Sequence, residues 1–151
     1  MVVYHYTSHE SLTLIINSND FHPSYLNPQM DTAFGEGWYF TDLHPDTTPD
    51  EDLHQSLWMR PEPTKSKRFI AFEIDDSLLQ YCRPNVYRMR METVKERIIK
   101  LNLTYTFDNN GRQAIRFISH GYKKQVFKPR NPWNTYGVIA LIGLGLLALT
   151  E

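Results

Sequence analysis

The chain has 151 residues, 41% of them hydrophobic, and carries 16 Lys or Arg against 17 Asp or Glu for a formal charge of −1. This excludes a disordered chain, a collagen-like repeat and a heptad rod, and the length suits a single domain of about 100–200 residues. The near-neutral total hides an asymmetry: residues 1–82 hold 13 acidic and 4 basic side chains, residues 83–151 hold 4 acidic and 12 basic, so the halves carry −9 and +8.

Val2–Tyr6 reads as a β-strand, and the polar residues that follow at once argue against a signal peptide. Thr7-Ser8-His9-Glu10 has the T-x-x-E spacing of a capping box and predicts a short amphipathic helix with Leu12, Ile15 and Ile16 on its apolar face. Asn17 to Gly37 is dense in Asn, Asp, Pro and Gly and reads as one long loop, of the kind that often borders a ligand. It ends at the apolar run Trp38-Tyr39-Phe40.

Thr48-Pro49-Asp50-Glu51 repeats the capping-box spacing with proline at the first helical position, and predicts a helix through Leu53, Leu57 and Trp58 that Pro61 and Pro63 end. Arg68–Ile74 is a strand by its aromatic and β-branched content. Cys82 is the single cysteine, which excludes an intrachain disulfide and a zinc site of clustered thiolates and points to a reducing, cytoplasmic setting. Asn85–Met91 is a weaker strand.

Ile99, Leu101, Leu103, Tyr105 and Phe107 alternate with polar residues and predict one half-buried strand over 98–107. Asn110-Gly111 suits a type I′ turn joining it to a strand over Arg112–Ile118. The sequon Asn102-Leu103-Thr104 is discounted without a secretion signal.

Arg112, Arg116, Lys123, Lys124, Lys128 and Arg130 either meet the acidic half across the fold or form a basic surface for phosphates or anionic lipid. Residues 133–151 form an apolar tail in which Val138–Leu149 is twelve residues without a polar side chain. That is short of the roughly 17–25 residues of a spanning helix, so the segment reads either as a buried terminal element or as a membrane attachment flanked by Trp133, Tyr136 and the basic run. Gly35-Glu36-Gly37 lacks the third glycine of a dinucleotide fingerprint, His9-Glu10 lacks the second histidine of a zinc-protease helix, and the six histidines have no metal-ligand spacing.

Tyr4-His5-Tyr6-Thr7-Ser8, a helix, Pro23-Ser24, and then Gly35-Glu36-Gly37-Trp38-Tyr39-Phe40-Thr41-Asp42 occur in an order that resembles the ADP-ribosyltransferase superfamily. The order is similar to the NAD-binding half of poly(ADP-ribose) polymerases, and the wording HYT and YFTDL looks closer to bacterial HYD1-type transferases. The resemblance covers Val3–Pro45, with a weaker likeness through Arg83-Pro84-Asn85-Val86-Tyr87.

The resemblance implies an α+β domain over residues 1–132, with a split antiparallel β-sheet core and short flanking helices around an NAD cleft. It implies NAD as substrate, no metal, and a mono-ADP-ribosyltransferase that cleaves the nicotinamide–ribose bond and passes ADP-ribose to protein, nucleic acid or water. His5 would hydrogen-bond the adenosine ribose, the backbone of Tyr6 would clamp the nicotinamide amide, and the Tyr39 ring would hold the departing nicotinamide. Thr7, Ser24, Gly37 and Phe40 complete the implied NAD-binding set.

Cleavage builds positive charge on the ribose, so a carboxylate is expected beside it. Glu96 is the first choice, Glu73 the second, and Asp108 or Gln113 lie further down the order. Two alternatives remain: an RNA 2′-phosphotransferase of the same superfamily, which would need basic residues in the cleft for the 2′-phosphate, and a non-catalytic NAD or ADP-ribose reader.

Overall fold

A computed structural model describes residues 1–25 and 33–128. The elements in chain order are β1 (Val2–Thr7), α1 (His9–Ser18), β2 (Asp20–Phe21), β3 (Trp38–Phe40), α2 (Asp50–Trp58), β4 (Arg68–Ile74), β5 (Gln80–Arg83), β6 (Val86–Met89), β7 (Ile99–Lys100), β8 (Thr106–Phe107) and β9 (Gln113–Tyr122). Short 3-10 turns occur at Asp76–Leu78 and Met91–Thr93. The strands form a four-stranded sheet in the order β1-β4-β9-β8, a three-stranded sheet β3-β6-β5, and the pair β2-β7. Every named pairing is antiparallel, the split-sheet α+β arrangement expected from the sequence.

The two larger sheets meet at one point. Tyr4 and Thr41 exchange both backbone hydrogen bonds, each 2.8 Å, as an isolated bridge between β1 and the end of β3. Apolar side chains fill the space between the sheets: Val3, Phe21, Trp38, Phe40, Ile70, Phe72, Ile74, Met89 and Ile115 are all buried there, with Leu12 of α1. Because successive strand residues face opposite ways, Tyr4, Tyr6 and Ala71 emerge on the other face of the first sheet and pack with Leu53 of α2.

Several local expectations shift by a residue or a turn type. Thr7 completes β1, and Ser8 caps α1 by accepting from Ser11 N–H at 3.1 Å. The helix therefore starts one residue later than the T-x-x-E spacing suggests. Pro49 takes the cap position of α2, where no side-chain cap bond forms; Asp50, Glu51 and Asp52 place negative charge at the positive end of the helix dipole instead. Within the predicted loop, Phe21 pairs with Ile99, and Ser24 bridges Gly37 through N–H···O bonds of 2.7 and 2.9 Å.

The single strand expected over 98–107 is two strands. β7 pairs with β2 and β8 with β9, because Lys100 N–H turns to the Thr106 hydroxyl and Leu101 N–H to the Asn19 carbonyl. Leu103 is consequently half exposed. The β8–β9 turn also differs from type I′: only Gly111 has positive φ there, at 80°, and Gly111 N–H bonds to Asp108 O. Asp108 accepts Asn110 N–H and Arg112 N–H on one carboxylate oxygen, so a buried aspartate organises this hairpin. Sequence reasoning did not mark β5, which turns into β6 through Pro84 and Asn85, the latter at φ 66°.

Candidate active site

The first sheet and the β3 sheet diverge beyond the Tyr4–Thr41 bridge, and His5 stands at the fork. Its Nδ1 lies 2.9 Å from the carbonyl oxygen of Tyr39. A carbonyl only accepts, so Nδ1 carries the proton. Burial holds the imidazole below its ordinary pKa, against the opposing pull of that carbonyl. The neutral ring therefore keeps its lone pair on Nε2, which takes no hydrogen bond among the described residues and suits a hydroxyl donor. Phe21 and Phe40 fix the ring plane, with centroids 4.8 and 6.5 Å away.

The same fork exposes the backbone of Tyr6. The N–H and C=O of Tyr4 point at Thr41 and away from β4. Antiparallel alternation turns those of Tyr6 the same way, and no β3 residue meets them there. This leaves one donor and one acceptor side by side, complementary to a primary amide. The Tyr6 side chain faces the other way, donates to Leu43 O at 2.7 Å, and is held well above the ordinary tyrosine pKa chiefly by burial.

A cavity of about 310 Å³ opens from the fork. Its lining comprises His5 and Thr7 of β1, Ser11, Leu14, Ile15 and Ser18 of α1, the stretch from Asp20 to Ser24, and Trp38 and Tyr39 of β3. Trp38 is buried and its indole N–H anchors the floor on Phe21 O at 3.0 Å. The Tyr39 hydroxyl is tied to the preceding turn, donating to Gly35 O and accepting from Phe34 N–H; burial raises its pKa, partly offset by that N–H and by Arg88. Arg88 stands directly opposite Tyr39 in register and donates to Phe34 O.

Of the expected NAD-binding residues, His5, Thr7, Ser24 and Tyr39 share this cavity, and the Tyr6 backbone borders the fork. Gly37 lies behind the wall, where φ is 140° and an added Cβ would come within 2.3 Å of the Met89 carbonyl oxygen. Phe40 is buried in the core and is not part of the lining.

None of the carboxylate candidates lines the cavity. Glu96 is exposed on a turn beyond the 3-10 segment, Glu73 pairs with Arg116 at 2.7 Å, and Asp108 is enclosed by its hairpin. Glu73 also shares the strand face of Ala71, opposite the face that His5 shares with Ile70. Gln113 is exposed at the start of β9. Among the described lining residues one is acidic, Asp20, and α1 supplies a wall; sequence reasoning singled out neither. The signal for the wall was Leu14, an apolar residue left on the solvent side of α1; for Asp20 it was only its place in the 17–37 stretch expected to border a ligand.

Among the described residues there is no group of three or more His, Cys, Asp or Glu that could hold a metal, and no helix long and apolar enough to cross a membrane. The Val138–Leu149 segment lies outside the described residues. Burial pushes the Cys82 thiol up, which argues against a reactive thiolate.

Comparison with curated proteins and with solved structures gives no significant match. A family model, the HYD1 signature containing ADP-ribosyltransferase, matches residues 3–106, more than half of the chain and the stretch from His5 past Tyr39 to β8. The chain thus belongs to the ADP-ribosyltransferase superfamily, in its HYD1-type family.

Proposed function

We propose that the protein binds NAD across the β1–β3 fork, cleaves its nicotinamide–ribose bond and transfers the ADP-ribose to an acceptor. The observation that carries this reading is the fork itself: a neutral His5 whose Nε2 takes no hydrogen bond among the described residues, the Tyr6 N–H and C=O that meet no described partner, and the Tyr39 ring converge on one cavity. His5 Nε2 accepts a ribose hydroxyl, the Tyr6 backbone takes the nicotinamide amide, and the Tyr39 ring packs on nicotinamide. These contacts hold the ribose while the bond to nicotinamide breaks and positive charge develops.

The described lining residues include no Lys or Arg, which favours this reading over a 2′-phosphotransferase whose substrate needs cations in the cleft. A second reading, an NAD or ADP-ribose reader without turnover, draws support from the placement of Glu96 and Glu73 away from the cavity. Both are tested by nicotinamide release together with NAD titration of the intact protein. The transferase reading expects turnover that falls about 100-fold or more in His5→Ala and in Tyr39→Ala, and little in Glu96→Ala. Binding without release, with cell lysate as acceptor, establishes the reader instead. No binding refutes both.

A further inference from the structure

Tyr39 lies on the edge strand of its sheet, with β6 on one side only, and its ring is anchored at the hydroxyl end. The anchor is the turn before β3, where the hydroxyl donates to Gly35 O and accepts from Phe34 N–H. That turn is itself held from β6: Arg88 Nη1 donates to Phe34 O, and Arg88 stands opposite Tyr39 in register.

Arg88 and Gly35 fit each other. Gly35 has φ 110°, and a Cβ there would land on the Arg88 guanidinium, so the flat cation occupies the space that the glycine leaves. The place is otherwise a poor one for an arginine. Its Nε is buried without a hydrogen-bond partner among the described residues, and no described carboxylate pairs with it. A buried donor without an acceptor is destabilising, so a side chain that only filled this place would do better apolar. What the guanidinium does make is the bond to the turn, and its charge draws the pKa of the Tyr39 hydroxyl down against burial.

We propose that Arg88 is a positioning residue for NAD: it holds the Phe34–Gly35 turn on β6, and the turn fixes the Tyr39 ring in the orientation that receives nicotinamide. The inference rests on the reading that sets Tyr39 against nicotinamide. A ring fixed before the ligand arrives need not be ordered by it, so the effect falls on the nicotinamide end of NAD and not on the ADP-ribose end.

The test is titration of the intact protein with NAD and with ADP-ribose, for wild type, Arg88→Met, Tyr39→Phe and the double variant. Arg88→Met is expected to weaken NAD binding about tenfold and to leave ADP-ribose within about twofold. Tyr39→Phe, which keeps the ring and loses its anchor, should show the same pattern, and the double variant should be no worse than either single one. Arg88→Lys keeps the charge but not the flat group under Gly35; it serves if Arg88→Met does not fold, with an NAD-specific loss of about threefold. Unchanged NAD affinity on substitution of Arg88 overturns the inference. So does a loss shared equally by ADP-ribose, which would mean simple attraction of the diphosphate, and so do losses that add in the double variant. Each of these leaves the NAD reading standing, whereas a wild type that does not bind NAD removes both.

Discussion

His5 is held by a bond that works only with a proton on Nδ1, in surroundings that oppose a second proton on Nε2. The two effects have different consequences. The Tyr39 carbonyl fixes the tautomer, and burial fixes the charge. Because the folded-state pKa lies below the ordinary value of 6.5, the unfolded chain takes up a proton first as pH falls. The contribution of His5 to stability is therefore complete above about pH 7 and is lost as pH drops through 6.5 toward the folded-state value. His5→Asn keeps a donor in the place of Nδ1 and removes the titration. Urea unfolding from pH 8 to pH 5 is expected to show wild type losing stability relative to His5→Asn over that window; parallel curves would mean the ring titrates normally in the fold. The same protonation would remove the Nε2 acceptor, so NAD affinity should weaken on the same side.

At the scale of elements, the site depends on how closely β3 can lie on β6. Gly37 precedes β3 at φ 140° with its missing Cβ directed at the Met89 carbonyl, and its backbone also holds Ser24 in the cavity wall. Alanine there meets both a strained backbone and a backbone obstacle that no rotamer change can move. Gly37→Ala is expected to lower stability by at least about 2 kcal/mol in denaturant unfolding and to weaken NAD binding beyond what that loss explains. A stable variant with normal affinity would show that β3 can shift without cost.

The sequence was legible where one local rule decided the outcome. Arg68–Ile74 is a strand over its full predicted range because its composition and its central, buried position agree. His5 and Tyr39 were legible from motif order, since the family wording spans the two strands that fork. The alternation from Ile99 to Phe107 misled because Lys100 and Leu101 spend their N–H groups on Thr106 and Asn19, contacts that no period-two pattern encodes. Asn110-Gly111 gave a hairpin in the right place with another turn, since the Asp108 carboxylate accepts two loop amides and its carbonyl a third. Asp20 was hidden for a similar reason: only the return of α1 across β1, and the pairing of β2 with β7, carries it to His5.

Across the whole molecule, part of the opposite charge of the two halves is spent in pairs between them. Arg116 meets Glu73 at 2.7 Å, Lys123 meets Asp50 at 2.9 Å, Lys128 lies between Glu51 and Asp52, and Lys100 holds Asp20. Arg112 is engaged with Asp108. Four of the six residues that could have formed a basic surface are thus paired, which weakens the case for drawing an acceptor nucleic acid by charge alone. The pairs join β4 to β9 and bring the chain after β9 onto α2, so they also close the fold around the apolar core. Exposed pairs are screened by salt while the core is not. Raising sodium chloride from about 0.02 to 0.5 M is therefore expected to lower Tm by about 2–5 °C for the network as a whole. A cycle of Glu73→Lys, Arg116→Glu and the double exchange isolates one link. Each single change places like charges across adjacent strands and should destabilise, and the double exchange should recover most of the loss at low salt. A Tm that does not respond to salt, together with no recovery in the double variant, would mean that packing holds the halves together and that their charge asymmetry has another use.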